Sequence, residues 1–168
     1  MKLAKYGFYA YLLSGVIDAL FTLRSFAVIT QFTLFQEAQW QLALASFSLI
    51  MFGAIYYLVP RISGAVWPSS GLVRGHYLAT ILGYAVLIIS LGIAGWQQGT
   101  ALNDASMSFE AIAAQYRPWL LVASAAQALL LVGNLALLVN FVRILFVKTR
   151  EAATGQFRQP TNLEASSS

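Results

Sequence analysis

No cysteine occurs in these 168 residues, and histidine occurs once, as His76. The first absence excludes disulfides, thiolate metal sites and cysteine nucleophiles. The second leaves no plausible zinc ligand set. Charge is scarce as well. Only 10% of the residues are Asp, Glu, Lys or Arg, where soluble domains carry about 25%. With 59% hydrophobic residues and a mean hydropathy of +0.70, the chain cannot cover its surface for water and belongs in a membrane. A formal charge of +4 invites a nucleic-acid reading, but the 10 Lys and Arg residues form no patch interleaved with exposed aromatics.

What is present is a series of long apolar runs. The run from Gln39 to Val59 carries no charge until Arg61, and Pro60 closes it. At 1.5 Å per residue such a stretch spans roughly 30 Å, the hydrocarbon thickness of a bilayer. The pattern predicts an all-α integral membrane protein with four transmembrane helices, over residues 6–30, 38–59, 72–99 and 118–148. A polar, disordered cytoplasmic tail is expected over 149–168. The start, Met1-Lys-Leu-Ala-Lys5, has the look of a signal peptide, but the run to Thr30 exceeds an h-region and contains Asp18 and Arg24. It reads as a retained first helix.

Four crossings place Lys2, Lys5, Arg61, Arg74, Arg143, Lys148, Arg150 and Arg158 on one side. The other side holds Arg117, with Glu37, Asp104 and Glu110, and Arg24 lies towards it. Such a bias puts both termini in the cytoplasm and explains the basic balance as a membrane-orientation signal.

Several polar groups interrupt the apolar text. Asp18 falls near the middle of the first predicted helix, with Arg24 beyond it. A charge at the bilayer centre costs on the order of 2.5–3.5 kcal/mol, so such groups face protein or water. Six positions turn a helix through about 240°, so the two side chains do not share a face and should bond to other helices. Asp18 is read as a structural hydrogen-bonding anchor, with a proton or cation site as the functional alternative. Gly75, Ala79 and Gly83 recur every fourth residue, as do Gly95 and Gly99, which lets a neighbouring helix approach closely. His76, beside Arg74 and Tyr77, is read as an interfacial hydrogen-bonding group rather than a metal or haem ligand. Gln127 and Asn134 share a face of the last helix and should bond across to another helix. Between the third and fourth helices, an amphipathic stretch from Phe109 to Tyr116 is expected to lie on the membrane surface, and Pro118 to start the last helix.

Phe52-Gly-Ala-Ile-Tyr-Tyr-Leu-Val-Pro-Arg61, Trp67-Pro-Ser and Leu72-Val-Arg-Gly-His76-Tyr together resemble the C-terminal part of a haem–copper oxidase catalytic subunit. The resemblance is to the cbb-type cytochrome c oxidases, with the nitric oxide reductases as cousins. Leu23-Arg24-Ser25, Gln31-Phe-Thr33, Gly92-Ile-Ala-Gly95-Trp-Gln-Gln98-Gly and Asn140 add weaker matches. It covers most of residues 20–147, the family's last four helices. In that family the helix matching residues 38–59 carries a His-x-His pair near its start, and both histidines hold haem iron. Here the matching place reads Ala38-Gln39-Trp40-Gln41, and the upstream position where the family often has a further histidine reads Gln31.

The resemblance therefore implies the fold and a respiratory setting without the catalytic ligands. The expected function is a haem-free structural or accessory subunit of a bacterial respiratory complex in the inner membrane, not itself an enzyme. Haem and copper are expected in a partner subunit, none is bound by this chain alone, and its partners are other membrane subunits and lipid, not nucleic acid. The alternatives are a small proton-coupled four-helix transporter using Asp18 and an assembly factor that binds an oxidase transiently.

Overall fold

The computed structural model describes residues 2–153, and among these every regular element is an α-helix. The elements are α1 (Lys2–Phe21), α2 (Arg24–Thr30), α3 (Leu34–Ser63), α4 (Ser70–Leu102) and α5 (Phe109–Ala153). α3, α4 and α5 are each long and apolar enough to cross a membrane, and α1 with α2 adds a fourth span if the pair is counted as one across its 101° bend.

The first predicted helix, 6–30, is thus two helices. The backbone leaves the helical region at Leu23, with φ −61° and ψ 135°. Thr22 Oγ1 donates to Ala19 O at 2.7 Å, so the last turn of α1 is closed by a side chain that competes with helix continuation. Leu23 O then accepts from Phe26 N and Ala27 N and starts α2 in a new direction. In consequence Asp18 lies in the last turn of α1, beside the bend, not in the middle of a continuous helix. It is exposed.

Both prolines expected at helix ends lie inside helices. Pro60 has no N–H to give to Tyr56 O, one turn back. That carbonyl accepts instead from Trp67 Nε1 at 3.4 Å. α3 then runs on to Ser63 and ends at Gly64, whose φ of 62° suits a residue without a Cβ. Pro118 is enclosed by α5, because the stretch 109–117, expected as a separate surface helix, continues straight into the span. Of the tail expected over 149–168, residues up to Ala153 extend α5, and the remainder lies outside the described residues.

The long helices stand in a row. α3 packs on α1 and on α4, α4 packs on α5, and α2 crosses onto α4. Glycines set the closest approaches. A Cβ on Gly53 would meet the Ala4 backbone 2.8 Å away, and one on Gly7 would meet Ser46 O at 2.7 Å, so α1 and α3 nearly touch main chain to main chain. Gly95 and Gly99 of α4 leave room for Phe35 and Ile29, which lie on either side of the α2–α3 turn. Where α4 meets α5, Gly83 faces Leu130 and Gly133 faces Ala79. Ala38, Leu87, Leu91, Ala123 and Ala126 form the buried core between these contacts.

Candidate functional site

Two places gather the polar groups. The first is the elbow formed by the end of α1, α2 and the start of α3. A pocket of about 330 Å³ opens there, lined on the α1–α2 side by Asp18, Phe21, Thr22 and Thr30 and on the α3 side by Gln36, Gln39 and Trp40, with Gln31 between them. The fold thus unites Asp18 with Gln39 and Gln31, two of the positions singled out in the sequence. Arg24 begins α2 and is exposed, but it does not line the pocket. Gln41 faces elsewhere and donates from Nε2 to Glu37 Oε1 at 2.8 Å on its own helix.

The start of α3 is held by protein groups. Leu34 N donates to Gln98 Oε1 of α4 at 2.9 Å, Phe35 N to Thr33 Oγ1 at 3.3 Å, and Gln36 N to Thr33 O at 3.1 Å. These bonds account for N–H groups that a helix start otherwise leaves without a partner.

The second place surrounds His76. The His76 side chain is 0% exposed. It stands in the second turn of α4, which begins at Ser70, and is covered by α3 and α5. Its Nδ1 shares a 2.8 Å hydrogen bond with Tyr56 Oη. The Phe52 ring meets it edge-on at 4.6 Å, and the Trp67 ring packs on Tyr56 at 5.1 Å. Asn134 of α5 reaches towards the ring, but Nε2 is buried and has no hydrogen-bond partner. Asn134 and Phe52 also line an apolar groove of about 620 Å³ with Ile55, Val59, Leu137 and Phe141. The groove exists because α3 and α5 both pack on α4 and meet each other little.

The remaining candidates separate. Ala79 and Gly83 are buried in the α4–α5 contact, whereas Gly75 is exposed and a Cβ there would meet nothing within 4 Å. The repeat thus works only over the part of α4 that α5 covers. Gln127 is exposed on α5, while Asn134, seven residues on, borders the groove.

Two residues without a role in the sequence reading matter structurally. Asn140 is 1% exposed and clamps the α3–α4 connection: Ser69 N donates to its Oδ1, and its Nδ2 donates to Ser69 O, both at 3.1 Å. Gln98 caps α3 as described above. Both are amides in apolar text, a signal they share with Gln127, so sequence could not rank them. Among the described residues no group of three or more His, Asp or Glu side chains could hold a metal ion.

The family model described as Cytochrome C and Quinol oxidase polypeptide I matches the chain over residues 2–148. No curated protein matches it.

Proposed function

Because the chain belongs to the cytochrome c and quinol oxidase polypeptide I family, we propose that it serves a bacterial respiratory membrane complex as a subunit that holds neither haem nor copper. The iron and copper of such oxidases depend on imidazole ligands. The observation that carries the proposal is that the chain has one histidine, whose ring is buried away from the start of α3. Nδ1 of His76 is bound to Tyr56, and Nε2 is closed in by protein. At the start of α3, where the resemblance puts the haem ligands, stand Gln39, Trp40 and Gln41. An amide offers a weak oxygen, and an indole N–H donates but does not accept. These residues do not fit haem iron or copper, so no redox step is assigned to them.

A structural role accounts for the surfaces. α5 packs chiefly on α4 and leaves Leu121, Leu131, Val132 and Phe146 exposed at 60% or more. The groove over His76 adds a concave apolar face. A haem-bearing membrane subunit that packs against these faces would bury them. Lys5, Arg61, Arg74 and Arg143 gather at the end of the row where α3 turns into α4, which favours the cytoplasm for that end.

The test is purification of the full chain from native membranes in mild detergent, followed by a pyridine haemochrome spectrum and mass spectrometry of co-purified proteins. The expected result is a stoichiometric haem-bearing partner, and no haem on the chain once that partner is stripped away. Haem that stays with the isolated chain would refute the reading. A partner present only in trace would replace the subunit role with that of an assembly factor.

A further inference from the structure

We propose that the elbow between α1 and α2 binds a primary ammonium group, of the kind carried by an ethanolamine headgroup. The proposal stands apart from the accessory role and rests on what the pocket offers. Asp18 brings a carboxylate to the last turn of α1, where the helix dipole is already negative and a bare anion is disfavoured. Among the described residues it has no ion pair or hydrogen bond through its side chain. Exposed at the pocket, the carboxylate is open to a cation.

The other polar groups point the same way. Thr22 Oγ1 gives its hydrogen to Ala19 O at 2.7 Å, and Thr30 Oγ1 gives its hydrogen to Phe26 O at 3.1 Å. Both oxygens are left with lone pairs only. An anion would find no cationic side chain here, and the main-chain N–H groups at the start of α3 are engaged. Leu34 N, Phe35 N and Gln36 N at the start of α3 all bond within the protein, and no Lys, Arg or His lines the pocket. The amides of Gln31, Gln36 and Gln39 offer an oxygen and an NH2 alike, so the sign of the ligand is set by the Asp18 carboxylate.

Size and depth narrow the class. At about 330 Å³ the pocket holds roughly ten waters' worth of liquid volume, too much for a bare metal ion. Trp40, 68% exposed, and Phe21 supply ring faces for an organic cation. Three N–H bonds on a primary ammonium match an acceptor-rich wall better than a quaternary group does. α1 is 20 residues, about 30 Å long, so its last turn reaches the level of the headgroups. There the ammonium could arrive on a lipid or as a free amine.

The experiment uses the full chain in phosphatidylglycerol nanodiscs with graded phosphatidylethanolamine, read by native mass spectrometry of retained lipid. Ethylammonium chloride is titrated in a second arm. The expected result is about tenfold preferential retention of phosphatidylethanolamine, lost in Asp18→Asn, since a charge-assisted bond contributes that much. Displacement by ethylammonium shows that the site reads the ammonium from either source, and its failure to displace assigns the site to the lipid. Binding of ethylammonium alone, again lost in Asp18→Asn, assigns it to a soluble amine. Equal retention of both lipids with no ethylammonium binding overturns the proposal, as does unchanged binding in Asp18→Asn. If circular dichroism shows that Asp18→Asn misfolds, Trp40→Leu decides: lost selectivity supports the site, and unchanged selectivity overturns it.

Discussion

Replacing Gly95 by alanine should detach the α2–α3 turn from α4. The added Cβ would lie 2.5 Å from Phe35 Cα and 2.6 Å from Leu34 C, with Phe35 N closer still. Carbon atoms in contact prefer about 3.5–4.0 Å, so the two backbones must part by roughly 1 Å or more. No side-chain rotation relieves this, because the obstructing atoms are main chain. Overpacking of this kind costs about 1–3 kcal/mol and occasionally more. The shift also strains the 2.9 Å bond from Leu34 N to Gln98 Oε1, which contributes about 1 kcal/mol. The total expected for Gly95→Ala is about 3 kcal/mol, with Gly99→Ala similar through Ile29. Gly75→Ala and Gly92→Ala are the controls. Neither Cβ meets an atom within 4 Å, so each should gain up to about 1 kcal/mol from helix propensity. Gly83→Ala falls between, because its obstacle is the end of the Leu130 side chain, which can rotate. Unfolding in mixed micelles, followed by tryptophan fluorescence, measures the series, and hydrogen exchange at the Leu34 amide localises the damage. Gly95→Ala as stable as the parent, or Gly75→Ala as harmful as Gly95→Ala, would refute the packing described here.

Three further outcomes follow from single contacts. Asn140→Leu leaves Ser69 N and O without their buried partner and should cost about 1–3 kcal/mol in the same unfolding assay, with faster exchange in the 64–69 connection. Tyr56→Phe removes the partner of His76 Nδ1 and should destabilise by about 1–3 kcal/mol, while Tyr57→Phe, on an exposed ring that Arg61 covers at 3.5 Å, should leave stability within about 0.5 kcal/mol. In the connection after α4, the Ser106 hydroxyl and backbone N–H both donate to Asp104 Oδ1 and hold its carboxyl below the ordinary carboxylate range. Because the folded value is the lower one, the ordering of this turn is present above about pH 3.9 and is lost as pH falls through the folded value. Carbon-detected NMR should find Ser106→Ala returning Asp104 towards its ordinary pKa, and no change would refute the assignment.

The membrane character was legible in the sequence, and so were the later spans. Apolar runs such as 39–59 carry too few polar residues to be anything else. The repeat Gly75, Ala79, Gly83 signalled close packing, although the structure uses it only from Ala79 onward. Gly7 and Gly53, which set the α1–α3 contact, have no small residue four positions away and so gave no such signal. Helix ends were harder to read. Pro60 and Pro118 mark boundaries by their missing N–H, but Trp67 supplies a donor for the carbonyl that Pro60 orphans, and α3 continues. At Thr22 and Leu23, residues compatible with a helix give way to a 101° turn, because Gly95 and Gly99 admit the α2–α3 segment only if it folds back across α4.

The amino acids by themselves determined the solvent, the helical class, the family and the want of imidazole at the start of α3, since each follows from which side chains exist. Which of the polar groups meet was decided only by the tertiary structure. His76 is buried against Tyr56, and Asp18 opens onto the elbow with Gln39, because α3, α4 and the broken first helix cross where glycines allow. Hydrophobic pattern specifies that a helix is buried in lipid, but the bilayer presses equally on every apolar face. The choice of neighbour therefore rests on short-range fit, which depends on atoms far apart in the chain.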